Sequence, residues 1–269
     1  MPVSFATWNI NSVRLRLGLV LDFLKQYGPD VLMLQEIKCT NDQFPGAAFA
    51  EAGYPHQAVH GQKGYHGVAI LSRFPLADIS SRVFVDIPES RHVSARLDFG
   101  RGPLTVHNFY IPAGGDIPDP ELNPKFKHKL GFLADLKRWF EEPIFKESHL
   151  IAGDFNIAPH ANDVWSHKQL LDVVSHTPVE TEALDALLVG GSGWVDLVRK
   201  HIPHDQKVYS WWSYRAIDWQ ASDRGRRLDH IWSTADIAAH STAAEIVKPA
   251  RGWTDKPSDH VPVIVRFGE

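Results

Sequence analysis

Acidic and amide side chains in this sequence stand where apolar runs end. Asn9 follows FATW, Gln35 and Glu36 follow VLML, and Asp154 and then Asn156 follow HLIAG. Tyr110 follows VHNF, Asp229 and His230 sit inside RLDHIWS, and Ser258, Asp259 and His260 immediately precede VPVIV. Each has an ordinary explanation when taken singly. A lone Asp or Asn after a strand forms a turn or caps a helix. Asn9 can cap a helix beginning near Arg14, Glu36 can be a solvated end residue, Asp229 can pair with Arg227, and Tyr110 can be an amphipathic edge residue. The same chemistry at five separate strand ends outweighs those readings. Hard oxygen donors, in a chain whose one cysteine is Cys39, suit Mg²⁺ or Mn²⁺ rather than Zn²⁺. A carboxylate can activate water, and a histidine held by a carboxylate can polarise a phosphoryl oxygen. Phosphodiester hydrolysis requires that set.

Positioning such groups takes strands whose ends converge on one rim. SFATWNI, DVLMLQE, GVAILSR, HVSARLDF, LTVHNFYI, HLIAGDFNI, RLDHIWS and HVPVIVRF each read as a strand. Several are apolar on consecutive residues, as strands buried on both faces are. Residues 14–27 carry Leu15, Leu19, Phe23 and Tyr27 on one helical stripe that Gly28-Pro29 stops. A second helix is predicted over 124–141, and Thr177-Pro178-Val179-Glu180 is a capping box opening a third. Strands of this kind interspersed with helices predict two packed sheets covered by helices. The irregular stretches 111–124 and 156–168 are long enough to be functional loops.

The chain has 269 residues, 43% hydrophobic and 22% charged, enough for a sizeable core. No linker breaks it, so one domain over 1–269 is expected. A single cysteine excludes intramolecular disulfides and Cys-rich zinc sites. The first residues lack a signal-peptide pattern and no apolar run reaches spanning length, so a cytoplasmic protein without membrane association is expected. The net charge of −4 leaves no global electrostatic footprint for nucleic acid. A local basic face or bound cations would have to offset the acid. His160, His167 and His176 lack tight ligand spacing, His128 sits on a helix face, and none is offered as a ligand.

TWNINSVR, LMLQEIKC, HGQKGYHGVAILSR, HNFYIPAGG, IAGDFNIAP, YSWWSYR, RLDHIWS and KPSDHVPV resemble segments of the exonuclease III family of abasic-site endonucleases, within the endonuclease/exonuclease/phosphatase superfamily. The resemblance runs from near residue 5 to 267. WN, QE, GDFN and SDH speak only for the superfamily, whereas HGQKGYHGVAIL and the stretch from YSWWSYR to RLD point to the DNA-repair branch. It implies an α/β fold, a four-layer sandwich of two packed, mainly antiparallel mixed sheets flanked by helices. It implies Glu36 as principal Mg²⁺ ligand, with Mn²⁺ able to substitute, and Asn9, Asp154, Asn156, Asp259 and His260 around the metal. Asp154 would handle the proton of water or leaving group, Asn156 would orient the water, and Tyr110 would face the scissile phosphate. Asp229 would hold the catalytic His260. The implied reaction leaves a 3′-hydroxyl on double-stranded DNA. It acts 5′ to abasic sites, on 3′-blocked ends, or as a 3′-to-5′ exonuclease, in a monomeric enzyme.

For DNA contact the resemblance implies Trp211, Trp212, Tyr214 and Arg215 around the flipped sugar and Gln62, Lys63 and Gly64 as a backbone loop. Arg224, Arg226 and Arg227 are candidates for phosphate contact. One of the two tryptophans is expected in the core, and the Gln62 loop equally suits a hairpin turn. The chain departs from the family pattern at Asn11, Ala113 and Arg226, the last a position often apolar or aromatic. Two alternatives remain: a relative acting on a lipid or inositol phosphodiester, and a catalytically silent DNA-binding module.

Overall fold

The computed structural model describes residues 2–190, 193–216 and 218–268. Among these, twelve strands run in chain order. They are β1 (Val3–Asn9), β2 (Val31–Gln35), β3 (His56–His60), β4 (Val68–Ser72), β5 (Ala77–Ser80) and β6 (His92–Asp98). There follow β7 (Pro103–Tyr110), β8 (His149–Asp154), β9 (Val195–Asp196), β10 (Asp229–Ser233), β11 (Ser241–Ile246) and β12 (Val263–Phe267). They form two six-stranded sheets, ordered β11-β12-β1-β2-β4-β3 and β5-β6-β7-β8-β10-β9. β1 and β2 are parallel, as are β7 and β8, while the other neighbours run antiparallel. The predicted mixed sandwich is the observed one.

Strand alternation sorts the core into layers. Phe5, Met33 and Ile70 meet Ala95, Val106 and Leu150 between the sheets. Trp8, Leu32 and Leu34 face outward instead, and the helix Leu17–Tyr27 covers them with Val20, Phe23 and Leu24. On the opposite side, Phe109 and Ile151 are covered by Phe132 and Leu136 of the helix Pro124–Phe140 and Leu184 of the helix Pro178–Val189. β2, β4, β8 and β10 are buried at every residue, which explains the apolar runs VLML, VAIL and LIAG of the first three.

The first helix starts at Leu17 rather than near Arg14. The preceding turn has tertiary partners for its backbone: Ser12 N donates to Glu36 O (2.7 Å) and Val13 N to Ile37 O (3.2 Å). Gly28 ends that helix in the left-handed region at φ 54°, as expected of a C-terminal glycine. The capping box forms between Thr177 and Glu180. β3, β5, β9 and β11 were not expected, and β3, β5, β9 and β11 lie at the outer edges of the two sheets.

Candidate active site

The sheet registers explain why distant residues meet. Tyr110 and Asp154 are partners at the ends of β7 and β8, and Asp229 is partner to Asp154 across β8 and β10. Three strands thus place a phenol and two carboxylates in one row. In the facing sheet, Asn9 ends β1 opposite Gln35, the last residue of β2. Glu36 follows at φ 49° and Asn156 sits at φ 54°. Left-handed non-glycine backbone of this kind costs on the order of 1–3 kcal/mol and clusters at functional sites. Gly153 admits the close approach of β7, because a Cβ there would lie 1.9 Å from Phe109 O.

Asn9 links the sheets: its Nδ2 donates to Glu36 Oε1 (2.9 Å) and Asp154 Oδ2 (2.8 Å). Its Oδ1 accepts from Asn11 N (3.1 Å), so it joins the two carboxylates rather than capping a helix. Asn156 holds Asp154 twice, through its backbone N–H to Oδ1 (2.9 Å) and its Nδ2 to Oδ2 (3.2 Å). His260 lies between two carboxylates, with Nδ1 at 2.8 Å from Asp229 Oδ2 and Nε2 at 3.6 Å from Asp154 Oδ2. Asp229 therefore serves His260. Arg227, its alternative partner, pairs instead with Asp163 and Asp196 at 2.7 and 2.8 Å. The Ser258–His260 segment is docked on β1 by Ser258 Oγ to Asn9 O (2.6 Å) and Trp8 Nε1 to His260 O (3.0 Å). Asp259 accepts from Trp211 Nε1 at 2.9 Å.

These contacts set the protonation states. Burial would lower His260, but Asp229 and Asp154 raise it to about 10. Burial raises Asp154 to about 7, helped by Asp229 and Glu36 and opposed by His260 and the Asn9 amide. Burial also works against the Glu36 carboxylate, yet Lys38, Asn9 and His260 hold it below its usual value. Tyr110 is pushed well above its usual value by burial and by Glu36 and Asp154, so its phenol keeps its proton.

Asp154, Asp229 and His260 offer ligand atoms within 4.8 Å of one another, a group able to hold a metal ion. Asp229 Oδ1 is buried and has no hydrogen-bond partner among the described residues. Four carboxylates converge here on one protonated histidine and Lys38, so the donor set and its charge excess fit a hard divalent cation.

Some partners were not anticipated from sequence. Lys38 Nζ contacts Glu36 Oε2 and Asn11 Oδ1 at 2.8 and 2.5 Å. Ser210 Oγ donates to Asp229 Oδ2 (2.6 Å). Asn108 joins the sheets behind the site, accepting from Gln35 Nε2 (2.7 Å) and donating to Leu34 O and Ala69 O (both 2.9 Å). The spacing of Lys38 two residues after Glu36 was the available signal; the other two are separated from their partners by long sequence distances.

A cavity of about 720 Å³ opens beside this row of Tyr110, Asp154 and Asp229. Trp211, Arg215, Arg224 and Arg226 line it. Trp212 does not: it is core, 1% exposed, with Nε1 donating to Asp223. Tyr214 lies outside the cavity lining, its hydroxyl donating to Pro257 O (2.8 Å). Arg227 is buried in its ion pairs and unavailable to DNA phosphate. Lys63 and Gly64 are exposed on a loop and do not line the cavity, while Gln62 Oε1 accepts from Ser90 N (3.1 Å).

This arrangement is that of a phosphoesterase. Residues 6–260 match the endonuclease/exonuclease/phosphatase family, and the chain belongs to it. It is 33% identical to Exodeoxyribonuclease III of Haemophilus influenzae, over 98% of this chain and 100% of that one. A Bacillus subtilis exodeoxyribonuclease is 26% identical over 96% of both. Among solved structures, an AP endonuclease from Archaeoglobus fulgidus superposes with a TM-score of 0.89 at 31% identity, covering 99% of this chain and 100% of that one. The 3′-5′ exonuclease NExo of Neisseria meningitidis gives 0.89 at 32% with the same coverage. A Neisseria NExo 3′ phosphatase bound to a product DNA hairpin also gives 0.89, at 31% and again the same coverage. Among the described residues no helix is long and apolar enough to cross a membrane.

Proposed function

We propose that the chain is a Mg²⁺-dependent DNA-repair phosphodiesterase. It incises 5′ to abasic sites, removes 3′-blocking groups and degrades duplex DNA 3′ to 5′, leaving 3′-hydroxyl ends. The observation that carries this reading is His260 lying between Asp229 and Asp154 in the row that also ends in Tyr110. Names of full-length relatives and of a DNA-bound neighbour support the substrate. We take the enzyme to act as a cytoplasmic monomer of one domain.

Glu36, with Asn9, Asp154, Asn156 and Asp259 around it, would hold Mg²⁺ or Mn²⁺. The bound ion supplies Lewis-acid neutralisation of phosphate charge. Asp154, beside Nε2 of His260 and held by Asn156, takes or returns the proton of the water or of the leaving oxygen. Asn156 fixes the orientation of that carboxylate. His260, protonated and held by Asp229, donates from Nε2 to a phosphoryl oxygen; in that state it is a donor rather than a ligand. Tyr110 donates its phenolic proton to the same phosphate. Water oxygen bonds to phosphorus as the bond to the 3′-oxygen breaks, and that oxygen gains a proton. Arg215 and Lys63 are exposed cations available to phosphates of the duplex.

The test compares cleavage of abasic duplex, 3′-blocked duplex and undamaged recessed ends, each with Mg²⁺ and with excess EDTA. Cleavage in Mg²⁺ and its loss in EDTA are expected. Binding without cleavage, or full cleavage in EDTA, overturns the reading. Sphingomyelin and phosphoinositides are the control substrates for the alternative enzyme class.

A further inference from the structure

Arg226 is out of place in the cavity wall. Its neighbours Val174, Leu228 and Trp211 give that wall an apolar character suited to a neutral deoxyribose. The Arg226 guanidinium stacks on Trp211, 5.3 Å from the ring centroid, as Arg224 stacks on Trp165 at 4.6 Å. Its hydrogen-bond partners are neutral: Nη1 donates to Val174 O (3.1 Å) and Ser175 Oγ (2.8 Å). Arg227, the next residue, has both Asp163 and Asp196 as ion-pair partners. Among the described residues Arg226 has no carboxylate within 4.0 Å. Glu180, the acid that acts on it from a distance, is committed to Lys129, Ser175 N and Thr177 Oγ1. Arg226 is half-buried, and a cation drawn partly out of water without a counter-ion favours an anion beside it. Asp154 and His260 line the same cavity, and Trp211 pairs through its backbone with both Arg226 and His260.

Resting on the proposed DNA 3′-end chemistry, we infer that Arg226 is a specificity residue for 3′ termini carrying a second negative charge on the cavity side of the reacting phosphorus. Two such termini are a 3′-phosphomonoester and a 3′-phosphoglycolate. In an internal abasic site the group entering the cavity is an uncharged sugar, and Arg226 meets no charge. In a phosphomonoester that position is an anionic oxygen, and in a phosphoglycolate it is followed by a carboxylate. The hydrolysis is the same in each case: water adds to phosphorus, the bond to the 3′-oxygen breaks, and that oxygen leaves with a proton. Phosphate or phosphoglycolate is released. The planar fork of Arg226, preoriented by Trp211 and Val174, suits two-point contact with such an oxyanion.

The experiment uses the full chain with Mg²⁺ and duplexes ending in 3′-phosphoglycolate or in a 3′-ethyl phosphate diester, so that the bond broken is the same and only the carboxylate differs. The wild-type kcat/KM is expected to favour phosphoglycolate about tenfold to a hundredfold, the scale of one charge-assisted hydrogen bond. Arg226→Met should erase that ratio and Arg226→Lys should keep part of it. Because the ratio is measured within one preparation, partial misfolding cancels. Equal rates on the two ends in wild type, or an unchanged ratio in Arg226→Met, overturns the inference. Cleavage of neither end, nor of abasic duplex, overturns the proposed function instead.

Discussion

Two groups of buried histidines in this molecule show how surroundings decide charge. His260 sits between carboxylates and is held protonated, at about 10. His92, His107 and His149 form a run across β6, β7 and β8 under the helix Pro124–Phe140, with no acid in the run. Arg82 N donates to His92 Nδ1 (3.1 Å), which makes His92 Nε2 the donor to His107 Nδ1 (3.1 Å). His107 Nε2 then donates to His149 Nδ1 (3.0 Å), and His149 Nε2 to Ile144 O (2.8 Å). Every ring is neutral and every nitrogen is used. Burial holds His92 at about 3 and pushes His107 well down. The same side chain is therefore held charged beside the carboxylates at the ends of β8 and β10, and serves as uncharged cement within β6, β7 and β8.

The sharpest way to separate the two groups is substitution. His260→Asn or Asp154→Asn should lower kcat by at least ~10²-fold with little loss of stability, the usual scale for an acid–base or transition-state group. A change confined to KM would remove both from the chemical step. His107→Phe should do the reverse, costing about 2–4 kcal/mol because a donor on His92 and an acceptor on His149 lose their partner. Urea unfolding checks it, and a kcat loss at unchanged stability would contradict the division of labour.

A smaller effect tests the coupling inside the catalytic group. Asp229→Asn and His260→Asn should be non-additive in kcat by about 1–3 kcal/mol, since the first acts through the second. Strict additivity would unlink them. The smallest effect is acid sensitivity. In the unfolded chain the buried histidines titrate at their ordinary 6.5, and in the folded chain His92 does so at about 3. Below pH 6.5 the unfolded state binds protons that the folded state refuses. The contribution of each such histidine is thus complete above that pH and falls toward pH 3, by on the order of 1 kcal/mol per pH unit, while Asp154, raised to about 7, offsets one of them. Denaturant midpoints that stay flat from pH 7 to 5 would mean the run is not neutral.

The contrast also marks what the sequence disclosed. β2, β4 and β8 were legible because burial on both faces leaves their central residues apolar without interruption. β3 and β5 were not, since HQAVH and ADIS are half-buried or exposed and follow no apolar pattern. Glu36, Asp154, Asp229 and His260 could be read from their positions at strand ends, which is where register later brought them together. Ser210 and Asn108 could not, because a hydroxyl or amide carries no mark of a partner in another strand. Trp211 and Trp212 are adjacent and identical, and only the backbone pairing of Trp211 with Arg226 and His260 decides which one faces the cavity. The histidine run had no periodic signal at all: its members come from three strands.

Gly153 gives the site an asymmetric capacity for change. The hydrogen atom it carries in place of a methyl is the clearance between β7 and β8, which end in Tyr110 and Asp154. Widening that gap would separate proton donor from acceptor without touching either. On the loop bearing Arg226, by contrast, a side chain can be exchanged while the spacing of those two strands stays fixed.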